Sequence, residues 1–282
     1  MTIPKKYKLL SNYKIPTVAL GTYNIPKSKA TKIVENALDE GYRHFDTAVL
    51  YDNEEEVAKG ISNWLHSHPN VKREEIFYTT KIWNTQFGYH NAKQAVVECV
   101  GAVGDLGYID LLLMHSPMGG KKLRIETWKA LQECVDEGLV KSIGVSNFGA
   151  RHLQDLFNWE GLKYKPVVNQ IEISPWCMRQ ELADYSKSEG LIVEAYAPLT
   201  HGYKLEDEDL EKVANELGKS TTQILIRWSL QHGYVPLPKT QTVTRLRENL
   251  EVYDFEISDE QMKLLDHPEA YEPTDWECTN AP

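Results

Sequence analysis

Three stretches of this chain end an apolar or aromatic run in a residue that can carry charge or a proton. In "GYRHFDTAVLY" a carboxylate, Asp46, closes the run and a phenol, Tyr51, follows it. "IFYTTKIW" carries an amine, Lys81, and "IDLLLMHSP" an imidazole, His115. Asp46 lies 35 residues before Lys81, and Lys81 lies 34 before His115, each step the length of one strand–helix unit. A stranded charge in apolar surroundings is costly unless something compensates it. The set therefore invites pairing: Asp46 with Lys81, and Lys81 with the phenol of Tyr51.

Those four groups suit a carbonyl that is accepting a hydride. The developing alkoxide needs a proton, and a phenol of pKa about 10 is a weak acid near neutrality. Two unit charges about 4 Å apart interact by roughly 4 kcal/mol at an effective dielectric of 20, so a neighbouring ammonium favours the phenolate. Desolvation of the phenolate opposes that pull, which puts the expected Tyr51 pKa between about 7 and 9. Burial would push Lys81 toward its neutral form, so Asp46 has the role of the counter-ion that keeps it charged. His115 is suited to hydrogen-bond and orient the substrate oxygen. Singly, each has an ordinary explanation: Asp46 a cap, Lys81 a snorkelling strand end, His115 a core histidine. Their common spacing does not.

Short apolar runs alternate with amphipathic, charge-rich stretches and would position such a set. The strand candidates are 17–21, 42–46, 76–81, 109–115, 140–146, 166–171, 191–197 and 234–238. Between them "KATKIVENALDEG", "NAKQAVVECVGAV", "ETWKALQECVDEG" and "DLEKVANELGK" read as helices, several ending in the Gly that suits a C-cap. Eight such units predict one α/β domain over residues 1–282, a parallel sheet closed into a (β/α)8 TIM barrel. "YKLLSNYKIP" reads as an N-terminal β-hairpin, and extra helices follow the last strand. Barrel strand ends converge on one mouth, so Asp46, Tyr51, Lys81 and His115 would meet there. A doubly wound sheet lacks its fingerprint. "GTYNIPKS" holds no G-x-G-x-x-G, and "GAVGDLG" sits at a helix end, where it reads as a turn.

At 282 residues with 41% hydrophobic and 26% charged content, the chain can build a sizeable core. A net charge of -10 argues against non-specific binding to nucleic acid or an acidic membrane. The start has no apolar leader and no run is long enough for a membrane span. Cys99, Cys134, Cys177 and Cys278 are scattered with no C-x-x-C pair, as expected of a reduced, cytoplasmic protein. No surplus apolar stripe asks for a partner, so a monomer is expected. His44, Asp46 and His115 could tempt a metal-hydrolase reading, but no H-x-H pair or acidic cluster completes a ligand set, and no metal is expected.

The remaining strand ends fit a hydride source. Ser146 and Asn147, Gln170 and Tyr196 could hold a carboxamide and stack on a flat ring. After the eighth strand, Lys239, Arg245 and Arg247 form a basic cluster at the start of a short helix, an anion site in many barrels.

"GYRHFDTAVLYDNE", "TTKIW" and "LLLMHSP" resemble the three signature segments of the aldo-keto reductase superfamily. "GVSNF", "NQIE" and "PLPKTQTVTRLRENL" extend the resemblance over essentially the whole chain. It implies a catalytic tetrad of Asp46, Tyr51, Lys81 and His115, with Tyr51 as proton donor. It further implies that Ser146, Asn147, Gln170 and Tyr196 grip a nicotinamide. Lys239, Thr240, Thr242 and Arg245 would hold an adenosine 2′-phosphate, and Glu248 and Asn249 would contact the adenine side. Gly21, Thr22, Tyr23, Asp46 and Leu199 complete the implied cofactor site, and the implied cofactor is NADPH. Tyr23, Tyr51, Trp83, His115 and Trp276 are the implied substrate contacts, with Cys278 also near the pocket border.

Where the family often has Trp, this chain has Tyr23 and Ser116, so a wider, more polar pocket is expected there. "SPMGGKK" and "LTHGYKLEDED" are short loops, which implies an open mouth and rapid cofactor exchange. These features are similar to those of small fungal members active on xylose, arabinose and assorted carbonyls. The alternative kept open is a cofactor-sensing regulatory barrel that acts through a protein partner.

Overall fold

A computed structural model describes residues 3–282. A short antiparallel hairpin, β1 (Lys6–Lys8) and β2 (Lys14–Pro16), precedes the barrel. Eight strands follow: β3 (Leu20–Gly21), β4 (His44–Asp46), β5 (Phe77–Ile82), β6 (Ile109–Met114), β7 (Val140–Ser146), β8 (Val168–Glu172), β9 (Ile192–Tyr196) and β10 (Val235–Pro236). They pair in chain order and all in parallel. The helices between them are α1 (Lys27–Asp39), α2 (Glu54–Ser67), α3 (Tyr89–Val103), α4 (Gly120–Asp136), α5 (Ala150–Phe157) and α6 (Gln180–Ser188). Two helices, α7 (Glu208–Leu217) and α8 (Thr221–Gln231), separate β9 from β10, and α9 (Val243–Leu250) and α10 (Asp259–Leu265) follow.

Closure of the barrel explains why the first and last strands are shorter than expected. The Ala19 amide donates to Pro236 O at 3.2 Å and the Gly21 amide to Pro238 O at 3.0 Å. Prolines have no N–H to return, so the seam is one-sided. A Cβ at Gly21 would stand 3.0 Å from Leu237 O, so the close approach there favours glycine.

Strand alternation sorts the two faces. Phe45, Tyr78, Leu112 and Met114 point outward and pack on Val34, Ile61, Val96 and Trp128 of the helices. Phe77, Leu111, Leu113 and Val168 fill the lower barrel, which Leu9 and Ile15 of the hairpin seal from below. Above them the inward positions turn polar: His44, Asp46, Thr79, Lys81, Gln170 and Glu194 are all buried. The hydrophobic layers hold that polar layer rigidly at the mouth end of the strands.

Helices α1 and α2 pack through Gly60, where an added Cβ would lie 2.7 Å from Thr31 O and 2.9 Å from Val34 Cβ. Alanine is the better helix former by about 1 kcal/mol, but overpacking a tight contact costs about 1–3 kcal/mol. Gly60→Ala is therefore expected to destabilise the protein by up to about 2 kcal/mol net in urea denaturation; a stabilised variant would show that the helices separate freely.

Candidate active site

Asp46 and Lys81 come from adjacent strands and meet inside the barrel. Lys81 Nζ lies 2.6 Å from Asp46 Oδ1, 2.8 Å from the carbonyl of Thr47 and 3.4 Å from the Tyr51 hydroxyl. Those three acceptors use all three ammonium hydrogens. Burial alone would lower the Lys81 pKa, but the Asp46 charge, then the Tyr51 oxygen and the Asp46 hydrogen bond, outweigh it, and the amine is held above its ordinary value.

Tyr51 reaches this pair because a single helical turn, Val49–Tyr51, ends in Asp52 with φ of 54° and swings the phenol back over the mouth. Asn53 pins the turn: its Nδ2 donates to the carbonyls of Thr22 and Ile25, both at 3.0 Å, and its Oδ1 accepts from Thr47 Oγ1 at 2.7 Å. The expected drop in the Tyr51 pKa is corrected here. Burial is the largest influence and pushes the phenol up to about 12, while Lys81, at the long end of hydrogen-bond range, pulls it down only in part. The group stays protonated through neutral pH. Because Lys81 donates to the phenol oxygen, the phenol's own hydrogen is free for the cavity.

His115 follows the end of β6, and its amide donates to Ile82 O at 3.1 Å. Burial and then the Lys81 charge hold its pKa well below the usual range, so the ring is neutral. Nδ1 is buried with no partner among the described residues, so Nε2 is the nitrogen available to a ligand. Trp83 packs edge-on to His115 at 5.1 Å and lies 5.5 Å from Trp276, while Tyr23 lies 5.1 Å from Tyr51. These rings, with Leu50, wall one side of a cavity of about 750 Å³ whose floor includes Asp46, Tyr51 and His115.

Ser146, Asn147, Gln170 and Tyr196 line the same cavity, as do Gly21 and Leu199. Asn147 has φ of 62°; its Nδ2 donates to His115 O at 3.1 Å and its Oδ1 accepts from the Tyr196 hydroxyl at 2.9 Å. Those bonds lock the Tyr196 ring in place. At the far end Lys239, Thr240, Arg245, Glu248 and Asn249 line the wall, joined by Ser220, Thr221 and Thr222. Lys239 and Arg245 form no ion pair among the described residues. Arg247 does not join them: it forks onto Glu40 at 2.7 and 3.1 Å.

Several expected contacts lie off the wall. Thr22 is buried, donating to Asp46 O at 3.0 Å, and Thr242 is exposed, its amide bonded to Thr240 Oγ1 at 3.1 Å. Ser116 is buried and spends its hydroxyl on Asn84 and the Met118 amide, so it does not make the pocket more polar. Cys278 is buried away from the lining, whereas its neighbours Asp275 and Trp276 line it. The mouth is also less open than the short loops implied. Leu199, His201 and Leu205 border the cavity, and the same loop is tied to the tail by His201–Asp275 at 2.9 Å and Lys204–Glu272 at 2.6 Å.

Sequence reasoning passed over Asn53 and Glu194. Glu194 is a carboxyl in the middle of the apolar run "LIVEAYA", and that interruption was the available signal.

The family model described as "Aldo/keto reductase family" matches residues 17–269. An uncharacterized oxidoreductase of Saccharomyces cerevisiae is 66% identical over 281 residues, covering 99% of this chain and 100% of that one. Glyoxal reductase of Bacillus subtilis is 39% identical over 260 residues, covering 92% and 91%. The crystal structure of an aldo-keto reductase enzyme from a deep-sea Medee basin metagenome superposes with a TM-score of 0.90 at 39% identity, covering 98% of this chain and 99% of that one.

Removing the amine should leave Asp46 as an unpaired buried carboxylate. Lys81→Met is expected to lose about 3–5 kcal/mol of stability, whereas Tyr51→Phe should lose less than about 1 kcal/mol, having only one long hydrogen bond to give up. Thermal denaturation of the two variants compares them, and equal losses would contradict the pairing.

Proposed function

This chain belongs to the aldo/keto reductase family, and on that premise we propose that it is an NADPH-dependent reductase of aldehydes and ketones. The observation that carries the reading is Lys81, held charged by Asp46, donating to the phenol oxygen of Tyr51 on the cavity floor.

The cavity fits a nicotinamide dinucleotide. Its volume lies within the range of cofactor sites. Its ends differ in the required sense: amide, hydroxyl and aromatic groups beside Tyr51, and the cations Lys239 and Arg245 at the other end. Such a cofactor supplies a hydride to the carbonyl carbon. Gln170, Ser146 and Asn147 would hold its carboxamide, and Tyr196 would stack on its ring. Lys239 and Arg245, with Thr240, favour an extra phosphate and hence NADPH over NADH.

His115, neutral, donates from Nε2 to the carbonyl oxygen and holds it over Tyr51. As negative charge develops on that oxygen, Tyr51 releases its proton to it. The Lys81 ammonium then stabilises the phenolate left behind, a larger effect in a dry site than in water. A phenol pushed up to about 12 is fully protonated at neutral pH, and an alkoxide is basic enough to take its proton.

The aromatic wall of Tyr23, Trp83 and Trp276 suits small aldehydes and ketones with an apolar face. We include xylose and arabinose among the substrates on the family resemblance. A relative bearing the name glyoxal reductase adds small dicarbonyls to that class. We also take the protein to act as a cytoplasmic monomer.

NADPH oxidation with a carbonyl panel, pentoses included, tests the reading. Tyr51→Phe is expected to lower kcat by about 10²–10⁴ while NADPH binding, followed by tryptophan quenching, stays within about threefold of wild type. Loss of binding together with activity, or equal affinity for NADH and NADPH, would contradict the assignment.

A further inference from the structure

Directly beneath the cavity floor lies a second buried carboxyl that the mechanism above does not use. Glu194 stands beside Gln170 in the β8–β9 register and is fully buried. Gln170 Nε2 donates to Asp46 Oδ2 at 2.9 Å and to Glu194 Oε2 at 2.8 Å. Both amide hydrogens are thereby used, so the amide cannot flip without setting its oxygen against two carboxyl groups. The Gln170 carbonyl is left as the end available to a cofactor.

The other Glu194 oxygen, Oε1, has no hydrogen-bond partner among the described residues and faces His44 Nε2 at 3.6 Å. His44 Nδ1 lies 3.2 Å from the carbonyl of Pro16, which can only accept, so Nδ1 carries the ring hydrogen and Nε2 accepts from Thr79 Oγ1 at 3.1 Å. Burial, with Lys81 nearby, takes the His44 pKa down to about 3 despite that bond, so the ring is neutral. An ionised Glu194 would then leave Oε1 as a buried charge beside an acceptor nitrogen, with no donor among the described residues. The charge balance agrees. The one amine nearby, Lys81, is committed to Asp46, and the elements around Glu194 bring His44 and Asp46 from β4, Lys81 from β5, uncharged Gln170 from β8 and Val235 from β10. Burial and then the Asp46 charge push the Glu194 carboxyl up to about 8.

We propose that Glu194 is a positioning residue that works as a buried neutral acid, orienting the Gln170 amide and keeping a second negative charge from beneath the Lys81–Tyr51 pair. This rests on the reductase reading. When Glu194 ionises, its charge opposes formation of the Tyr51 phenolate and weakens the hold of Lys81 on it. Proton delivery from Tyr51 then fails on the alkaline side.

Infrared titration of the protein without cofactor, together with pH profiles of reductive kcat/KM, tests this on wild type and Glu194→Gln, which keeps the shape and both bonding ends. Wild type should show a protonated-carboxyl band that titrates near pH 8 and is missing from the variant. If only the neutral form delivers the proton, wild-type kcat/KM falls roughly tenfold between pH 7 and pH 9, and that of Glu194→Gln falls less than about threefold. Absence of the band in wild type, a test that needs no folded variant, or superimposable profiles would overturn the proposal. Wild-type turnover at pH 7 is read first: if it is missing with every carbonyl, the reductase reading falls too, whereas matching profiles of two active proteins remove Glu194 alone.

Discussion

Inside the barrel the Lys81 ammonium, fully withdrawn from water, touches the Asp46 carboxylate at 2.6 Å. Desolvating two ions costs several kcal/mol each, and only close geometry with every hydrogen bond satisfied recovers it. Here Thr47 O and the Tyr51 hydroxyl complete the ammonium, and Gln170 completes the carboxylate. The pair is thus stable only where four separate segments converge. A barrel mouth provides that convergence, because neighbouring parallel strands end side by side.

Much of the surrounding structure serves to hold this polar layer still. The hydrophobic layers and the hairpin pack beneath it. Asn53 fixes the turn that carries Tyr51, and Asn147 locks Tyr196. Backbone strain collects next to the cavity: Asn147, Ala197, Thr200 and His201 all adopt positive φ. Such conformations cost about 1–3 kcal/mol each and persist where neighbouring contacts over-determine them. Past β9, pairing of His201 and Lys204 with the tail gives that support. The tail in turn is seated by Glu172, a buried carboxylate that accepts from the Thr274 amide at 2.5 Å and its hydroxyl at 2.7 Å.

The sequence made the fold legible because both of its periods were clear. Eight apolar runs recurred at intervals of about one strand–helix unit, the first five ending in Gly, Asp, Lys, His and Ser, and all eight became barrel strands. The tetrad was readable for the same reason, since strand ends share one rim. What sequence could not supply was direction and balance. Arg247 sits two residues from Arg245, yet the helix turns it toward Glu40. Ser116 follows His115, but its side chain goes inward to Asn84. The sign of the Tyr51 shift depended on how deeply the phenol is buried against its distance from Lys81, and neither is written in residue spacing. Glu194 was visible as a letter, but its role depends on a partner 24 residues away on the neighbouring strand.

The central claim is that Lys81 is a permanently charged group in a dry site. Nitrogen-15 NMR of the lysine ammonium groups in the full-length protein, followed upward from pH 7, reads this directly. With Asp46 holding it, the Lys81 signal should stay protonated after the surface lysines begin to lose their protons near an ordinary pKa of about 10.4. A Lys81 that deprotonates before them would mean that burial outweighs Asp46, and the charge on which Tyr51 depends would not be there.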